Sequence, residues 1–356
     1  MGFEFTDGFI PKKTVCKRGA IKNIRQEVEN MSPKRALLIC GKGVYDNTDL
    51  VDRLKGILKE LCVGVFNGVK PHAVTTTITE GKKLCIELKA DLLISIGGGS
   101  AHDTAKGIAV LVAEGGNDIL DHRVIFEPPD KMEIPILSHP KLPIITIATT
   151  LAGAEVIGAA GYTDPKTKLK KIVVDPKLTP RLVIYDPEVA LTTPVEVFVS
   201  SGMNAFDHCV ETIYSKKHQE ISDTLAMRAI KLLMDALPRC VQNNDDVEAR
   251  EKAQMASFMA ALAYGNSWLG INHAICHCLG ARYGVPHGIA NAIMLPLGMR
   301  FNLDVTGDRQ ALIAAAMGIE TKGKTDLEAG EAAAGHIDQL NEKLGLPRRL
   351  RDVGGP

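Results

Sequence analysis

Five short apolar runs punctuate the first half of the chain: RALLIC (35–40), CVGVF (62–66), DLLISI (91–96), LPIITIATT (142–150) and LVIYD (182–186). They lack the strict polar–apolar alternation of a half-exposed strand, so each reads as a strand buried on both faces. Helical apolar spacing fills stretches between them, at 48–60 and 77–88. Strand and helix in alternation predict a parallel sheet covered on both sides. Residues 121–143 interrupt the pattern with five prolines and read as an irregular excursion or hairpin, not a helix.

The strand signal stops near YDPEVALTTP (185–194). Asp186 and Pro187 end a strand there, and Thr193 with Pro194 can open a helix. Helical spacing then runs through 196–214, 219–237, 246–264, 269–282 and 328–344. The expected organisation is an α/β domain over 1–188 and an all-helical domain over 189–356. A chain of 356 residues is long enough for two such cores.

Charge and composition exclude several partner classes. Lysine plus arginine equals aspartate plus glutamate at 42 each, which argues against a nucleic-acid or anionic-membrane surface. Aromatic residues make up only 4%, too few for base-stacking platforms. No run approaches membrane-spanning length, and MGFEFTDGFIPKK lacks the apolar centre of a signal peptide. Its Met-Gly start is a weak myristoylation context. The eight cysteines are scattered and form no CxxC pair, so reduced thiols in a cytoplasmic protein are expected.

Chemistry concentrates at two places. LLISIGGGSAHDTAKGIAV (92–110) is a strand, a glycine turn and a helix. Glycines admit a pyrophosphate close to the backbone, and a helix N-terminus offers free N–H groups with the positive end of its dipole. Ser100 adds a hydroxyl, and Asp103 and Lys106 fall within reach of a ribose or phosphates. A tight turn with a capping serine explains the same residues, since the spacing is not GxGxxG.

The second place is INHAICHCLGARYGVPHGIANAI (271–293), with His273, His277 and His287. His273 and His277 stand i, i+4 on one helix face, and Asn204 and His208 repeat that spacing in SGMNAFDHCVE (201–211). Imidazoles with an oxygen donor suit a borderline divalent ion such as zinc or ferrous iron, although spacing does not say which histidine binds metal and which handles protons. Cys276 and Cys278, two apart, read as packing thiols. Because Cys276 adjoins His277, bulky alkylation there is expected to obstruct the site.

Taken in order, GGGSAHDTAKGIA, the ATT at 148–150, the DP at 186–187, SGMNAFDHCVE and NHAICHCLGARYGVPHGIANAI resemble the successive motifs of the iron-containing (metal-dependent) alcohol dehydrogenase family. That family is related to glycerol dehydrogenase and dehydroquinate synthase, and the likeness covers about residues 10–350. The resemblance implies an N-terminal α/β dinucleotide-binding domain, an all-α C-terminal domain and a cleft between them. It implies an NAD(P)-dependent oxidoreductase interconverting small alcohols with aldehydes or ketones, acting as a homo-oligomer on a small-molecule substrate. By position, Asn204, His208, His273 and His287 would hold an iron or zinc ion, and His277 would relay protons beside the nicotinamide. Gly97, Gly98, Gly99 and Ser100 would hold the pyrophosphate of NAD or NADP. Thr149 and Thr150 would line the cofactor site, with Asp103 and Lys106 on the helix beside it.

Three departures from the family pattern carry information. The first metal position is normally aspartate and here is Asn204, so three neutral histidines would leave a 2+ ion uncompensated and weakly held. Asp207 lies about 100° around the helix from His208 and is a poor substitute. TTLAGAEV (149–156) is compressed, which with GMNA looks like the maleylacetate reductase branch, whereas GGGSAHDTAK and PHGIANAI look like the alcohol dehydrogenases. The chain also stops at LPRRLRDVGGP, where relatives normally continue. Relatives selective for NAD often carry an aspartate at the end of the first strand, where Gly41 stands; with Lys42 beside it, NADP is expected to be accepted. Two other readings stand beside the first: a maleylacetate-reductase-like enzyme with weak or no metal, and a nucleotide-binding relative without catalysis.

Overall fold

The computed structural model describes residues 9–127 and 131–355. The N-terminal myristoylation context and residues 128–130 of the proline-rich stretch lie outside the described residues. By contacts the chain divides into two units: Phe9–Thr149 with Ala154–Thr192, and Thr150–Gly153 with the chain from Thr193 onward.

The first unit is built on ten strands: β1 (Lys13–Cys16), β2 (Ala36–Gly41), β3 (Cys62–Val69), β4 (Leu92–Gly97), β5 (Ile125–Glu127), β6 (Lys131–Glu133), β7 (Ile144–Ala148), β8 (Ala159–Asp164), β9 (Leu169–Val174) and β10 (Leu182–Tyr185). Six of them form one parallel sheet in the order β1-β10-β7-β4-β2-β3. Its helices are α1 (Ile24–Met31), α2 (Lys42–Asn47), α3 (Leu50–Leu58), α4 (Thr75–Glu87), α5 (Gly99–Glu114) and α6 (Pro187–Ala190).

The buried strands alternate between two cores. Leu38, Cys40, Ile94 and Ile96 meet Ile24, Leu54 and Leu58 on one face, while Leu37, Ile39 and Leu93 meet Ile78, Ile108 and Leu111 on the other. Burial on both faces is why these strands read as continuous apolar runs. The lysine-containing edge strand β1 and the hairpin β8–β9, with AAGYTD and LKKIVV, lack such runs and escape a reading by hydrophobicity. The proline-rich excursion contains a 3-10 turn at Ile119–His122 and the small hairpin β5–β6.

The second unit is helical: α7 (Val195–Ile213), α8 (Glu220–Gln242), α9 (Val247–Gly265), α10 (Ile271–Tyr283), α11 (His287–Ala316) and α12 (Asp326–Lys343). Helix α7 is buried nearly all round, from Phe198 to Ile213, and so forms the centre against which α8, α9 and α11 lie. Thr325 and Glu328 close a reciprocal capping box at the start of α12. No helix among the described residues is long and apolar enough to cross a membrane.

Candidate active site

In the α/β unit the chain runs from β2 outward to β3, returns across to β4, and continues through β7 to β10. The strand order therefore reverses between β2 and β4. In open parallel sheets such a switch point opens a crevice at the strands' carboxyl ends, where dinucleotides sit. Cys40 pairs with Ile96, so the two strands end side by side, with Gly41 and Lys42 on one and Gly97 on the other. Gly97 has φ +138°, which an L side chain rarely adopts, and a Cβ there would come within 3.3 Å of Ala101. Gly98 caps α5 without any side-chain hydrogen bond, leaving Gly99 and Ser100 at its partly exposed N-terminus. Thr149 donates its backbone N–H to Gly97 O at 2.9 Å and so stands beside the turn. Thr150 begins the segment that belongs by contacts to the helical unit. These features fit a pyrophosphate at the glycine turn.

Asp103 and Lys106 are engaged by backbone groups in this structure. Lys106 is fully buried, and its Nζ donates to Ala154 O at 2.5 Å and Ala159 O at 2.9 Å. Asp103 Oδ2 accepts the backbone N–H of Gly161 at 3.1 Å. Burial lowers the Lys106 ammonium to about 8, against the opposing pull of Asp103 and Glu155. The two side chains hold β8 and the Ala154 segment onto α5. Helical spacing gave their approximate depth but not which way they face.

In the helical unit four imidazoles come together. The His273 ring centroid lies 4.7 Å from His208, 5.4 Å from His277 and 5.0 Å from His287. The His287 and His273 Nε2 atoms are 3.2 Å apart. One ring nitrogen each from His273, His277 and His287 falls within a 4.8 Å group. His208 lies outside that group, stacked between His273 and Tyr264, the latter ring at 4.0 Å. Asn204 accepts from Asn291 Nδ2 at 2.6 Å through its amide oxygen and donates to Ala152 O at 3.2 Å. The donor set, neutral imidazoles converging at this spacing, fits a borderline divalent ion.

Two carboxylates stand behind this cluster. Asp207 Oδ2 lies at hydrogen-bond distance from His273 Nδ1, 2.6 Å, and Glu211 Oε2 lies 3.4 Å from the same nitrogen. Burial opposes charge on His273, but hydrogen bonds and charges from Asp207 and Glu211 outweigh it and raise its pKa. Burial and neighbouring Glu211 push Asp207 upward in turn. What sequence reasoning missed is the contact of Asp207 with His273. The signal available was the i, i+4 pair Asp207 and Glu211, which marks one face of α7.

Close helix contact sets the position of His287. A Cβ on Gly288 would lie 2.3 Å from Ser200 O and 2.5 Å from Ser200 C, both backbone atoms of α7. Gly288→Ala should therefore push α11 off α7, costing about 1–3 kcal/mol, and carry His287 away from His273. Thermal melts with metal titration check this; an unchanged melting temperature would show that α11 shifts freely. Cys276 is fully buried among Leu279, Val285 and Ala290, and burial holds its thiol far above the usual range. That corrects the expectation of an alkylation-sensitive Cys276; Cys278 is the exposed thiol of the two.

Comparisons with known proteins agree with this architecture. The family model described as iron-containing alcohol dehydrogenase matches residues 11–187, and that of the Fe-containing alcohol dehydrogenase family, C-terminal, matches 198–355. The NAD-dependent methanol dehydrogenase of Bacillus methanolicus is 33% identical over 98% of this chain and 90% of its own. The solved alcohol dehydrogenase from Oenococcus oeni is 31% identical, with a TM-score of 0.91 over 100% of this chain and 90% of its own. Maleylacetate reductase from Rhizobium sp. strain MTP-10005 is 25% identical, with a TM-score of 0.79 over 100% and 88%. The switch-point glycine turn, the helical histidine cluster and these matches over nearly the whole chain make it a member of the iron-containing alcohol dehydrogenase family.

Proposed function

We propose that the protein is an NAD(P)-dependent oxidoreductase that interconverts small alcohols with aldehydes or ketones, assisted by a divalent iron or zinc ion. The observation that carries this reading is the four-imidazole cluster with His273 anchored by a buried carboxylate. His208, His273 and His287 would hold the ion, with the Asn204 amide oxygen as an uncharged fourth donor. When bound, such an ion supplies Lewis acidity toward a carbonyl or alcohol oxygen. His277, partly exposed at the edge of the cluster, would carry the alcohol proton to and from solvent, a task suited to an imidazole near neutrality. Residues 97–100 and Thr149 would hold the dinucleotide, with Thr150 following in the chain. Metal content of the purified protein, with NAD(P)H oxidation by an aldehyde panel before and after chelation, tests the reading. Activity indifferent to chelation would sink its metal-dependent part.

Asn204 favours a second reading, a maleylacetate-reductase-like enzyme, because its amide is already engaged by Asn291 and Ala152. Chelator-resistant reduction of maleylacetate, with no turnover of simple aldehydes, would establish it. The stronger likeness to the Oenococcus enzyme supports the first.

Cofactor choice follows from the end of β2. Gly41 has φ −88°, open to any residue, and a Cβ there meets only Val69 O at an ordinary 3.5 Å. Gly41→Asp should fold normally and place a carboxylate against a 2′-phosphate, shifting the ratio of kcat/KM values toward NAD by about tenfold or more. Steady-state kinetics with both cofactors measure it, and an unmoved ratio means the ribose lies elsewhere.

A further inference from the structure

Asp207 and Glu211 stand one turn apart on α7, and both are fully buried. Asp207 Oδ1 accepts from Asn272 Nδ2 at 2.8 Å, and Oδ2 lies 2.6 Å from His273 Nδ1. Glu211 Oε1 accepts the backbone N–H of Asn272 at 2.9 Å, in the first turn of α10. There the positive end of the helix dipole favours an anion. A Cβ on Gly270 would lie 2.7 Å from that same Oε1, so glycine is what lets the carboxylate reach the helix start. The remaining oxygen, Oε2, has no hydrogen-bond partner and faces His273 Nδ1 at 3.4 Å. Two buried carboxylates cost several kcal/mol unless a positive group or donors compensate them, and here His273 is the group they share. Nδ1 and Oδ2 stand at hydrogen-bond distance, closer than two ligands of one ion, so a proton fits between them.

We propose that Asp207, backed by Glu211, is a positioning residue that fixes a proton on His273 Nδ1, reserves Nε2 as the ligating nitrogen, and supplies from behind the ring the negative charge that Asn204 lacks. The inference rests on the reading of His273 as a metal ligand. A carboxylate hydrogen-bonded to the far nitrogen sets a ligating histidine's tautomer and raises its basicity. Asparagine at 207 would keep the shape and reverse the logic. With Asn272 Nδ2 donating to one side of the amide as it does to Asp207, the amide oxygen is claimed there and its NH2 turns toward His273. Nδ1 must then accept, and the proton moves to Nε2.

The test uses full-length protein labelled with ¹⁵N-histidine, with His273 assigned by comparison with His273→Gln, and Co(II) titration as the second readout. Wild type should show a downfield Nδ1 proton on His273. Asp207→Asn should lose it and bind Co(II) about 10–100-fold more weakly. Adding Asn272→Ala removes the competing donor, lets the amide oxygen face His273, and should recover part of both signals. An unprotonated Nδ1 in wild type overturns the proposal without any variant. So does an Asp207→Asn protein that keeps both the resonance and the Co(II) affinity. If wild type takes up no Co(II), the metal-dependent reading of the enzyme fails, while the Nδ1 resonance still decides the tautomer.

Discussion

Alanine at His273 should cost the helical unit its divalent ion and nearly all activity, whereas alanine at His277 should keep the ion and lower kcat by about 10²–10⁴-fold. The asymmetry follows from position. His273 is the hub, 4.7–5.4 Å from each of the other three rings and hydrogen-bonded to Asp207, so its loss removes a donor and strands a buried carboxylate. His277 lies at the partly exposed edge, 5.3 Å from His287. Elemental analysis of both variants, with kcat followed against pH, separates the roles. The loss in His277→Ala should be greatest near neutral pH, where an imidazole works best as a proton carrier. The geometry also defines the failing outcome. If His277→Ala loses the ion while His208→Ala keeps it, the ligands are His273, His277 and His287, whose nitrogens lie within 4.8 Å of one another.

Asn204→Asp should reverse its sign with metal: destabilising without the ion and stabilising with it. In the metal-free protein the new carboxylate would keep the hydrogen bond from Asn291 but lose the donor to Ala152 O, leaving a buried charge facing a carbonyl. Loss of that bond and burial of the charge should cost about 1–3 kcal/mol and lower the melting temperature. With a divalent ion present, the same charge compensates a site otherwise built from neutral nitrogens. Affinity should then rise about tenfold or more, equivalent to about 1.4 kcal/mol, and the melting temperature should rise with metal concentration. Melting curves across a Zn(II) or Fe(II) series check both halves. A variant that melts lower at every metal concentration would remove position 204 from the coordination shell.

Much of the α/β layer is legible because buried parallel strands leave an unmistakable mark. LLISIG and IITIA are buried at every position, so both faces demand apolar residues, and the one small hydroxyl in each, Ser95 and Thr146, is hydrogen-bonded inside the core. The edge strand β1 and the hairpin β8–β9 are not legible by that rule. KTVC lies at a sheet edge, and LKKIVV is partly exposed, so water supplies what apolar neighbours would otherwise have to provide. Helical spacing marks α7 to α10 and α12 but not α11 (His287–Ala316), for which the proline before His287 gives only the start.

Side-chain direction is where local reading ends. The sequence alone determined that glycines join a central strand to a helix at residues 97–99, because only a residue without a Cβ takes φ +138° there. It determined that histidines recur at helical spacing, because 3.6 residues per turn fixes which share a face. It did not determine that Lys106 would donate to two backbone carbonyls, or that Asp207 would face His273 across 66 residues of chain. Those outcomes depend on which helices pack together and how closely. That closeness is set by contacts such as Gly288 against Ser200 and Gly270 against Glu211, which link residues far apart in sequence. Spacing along one helix is a local property of the chain, whereas the partner a buried polar group finds is decided by three-dimensional packing and the cost of leaving it unpaired.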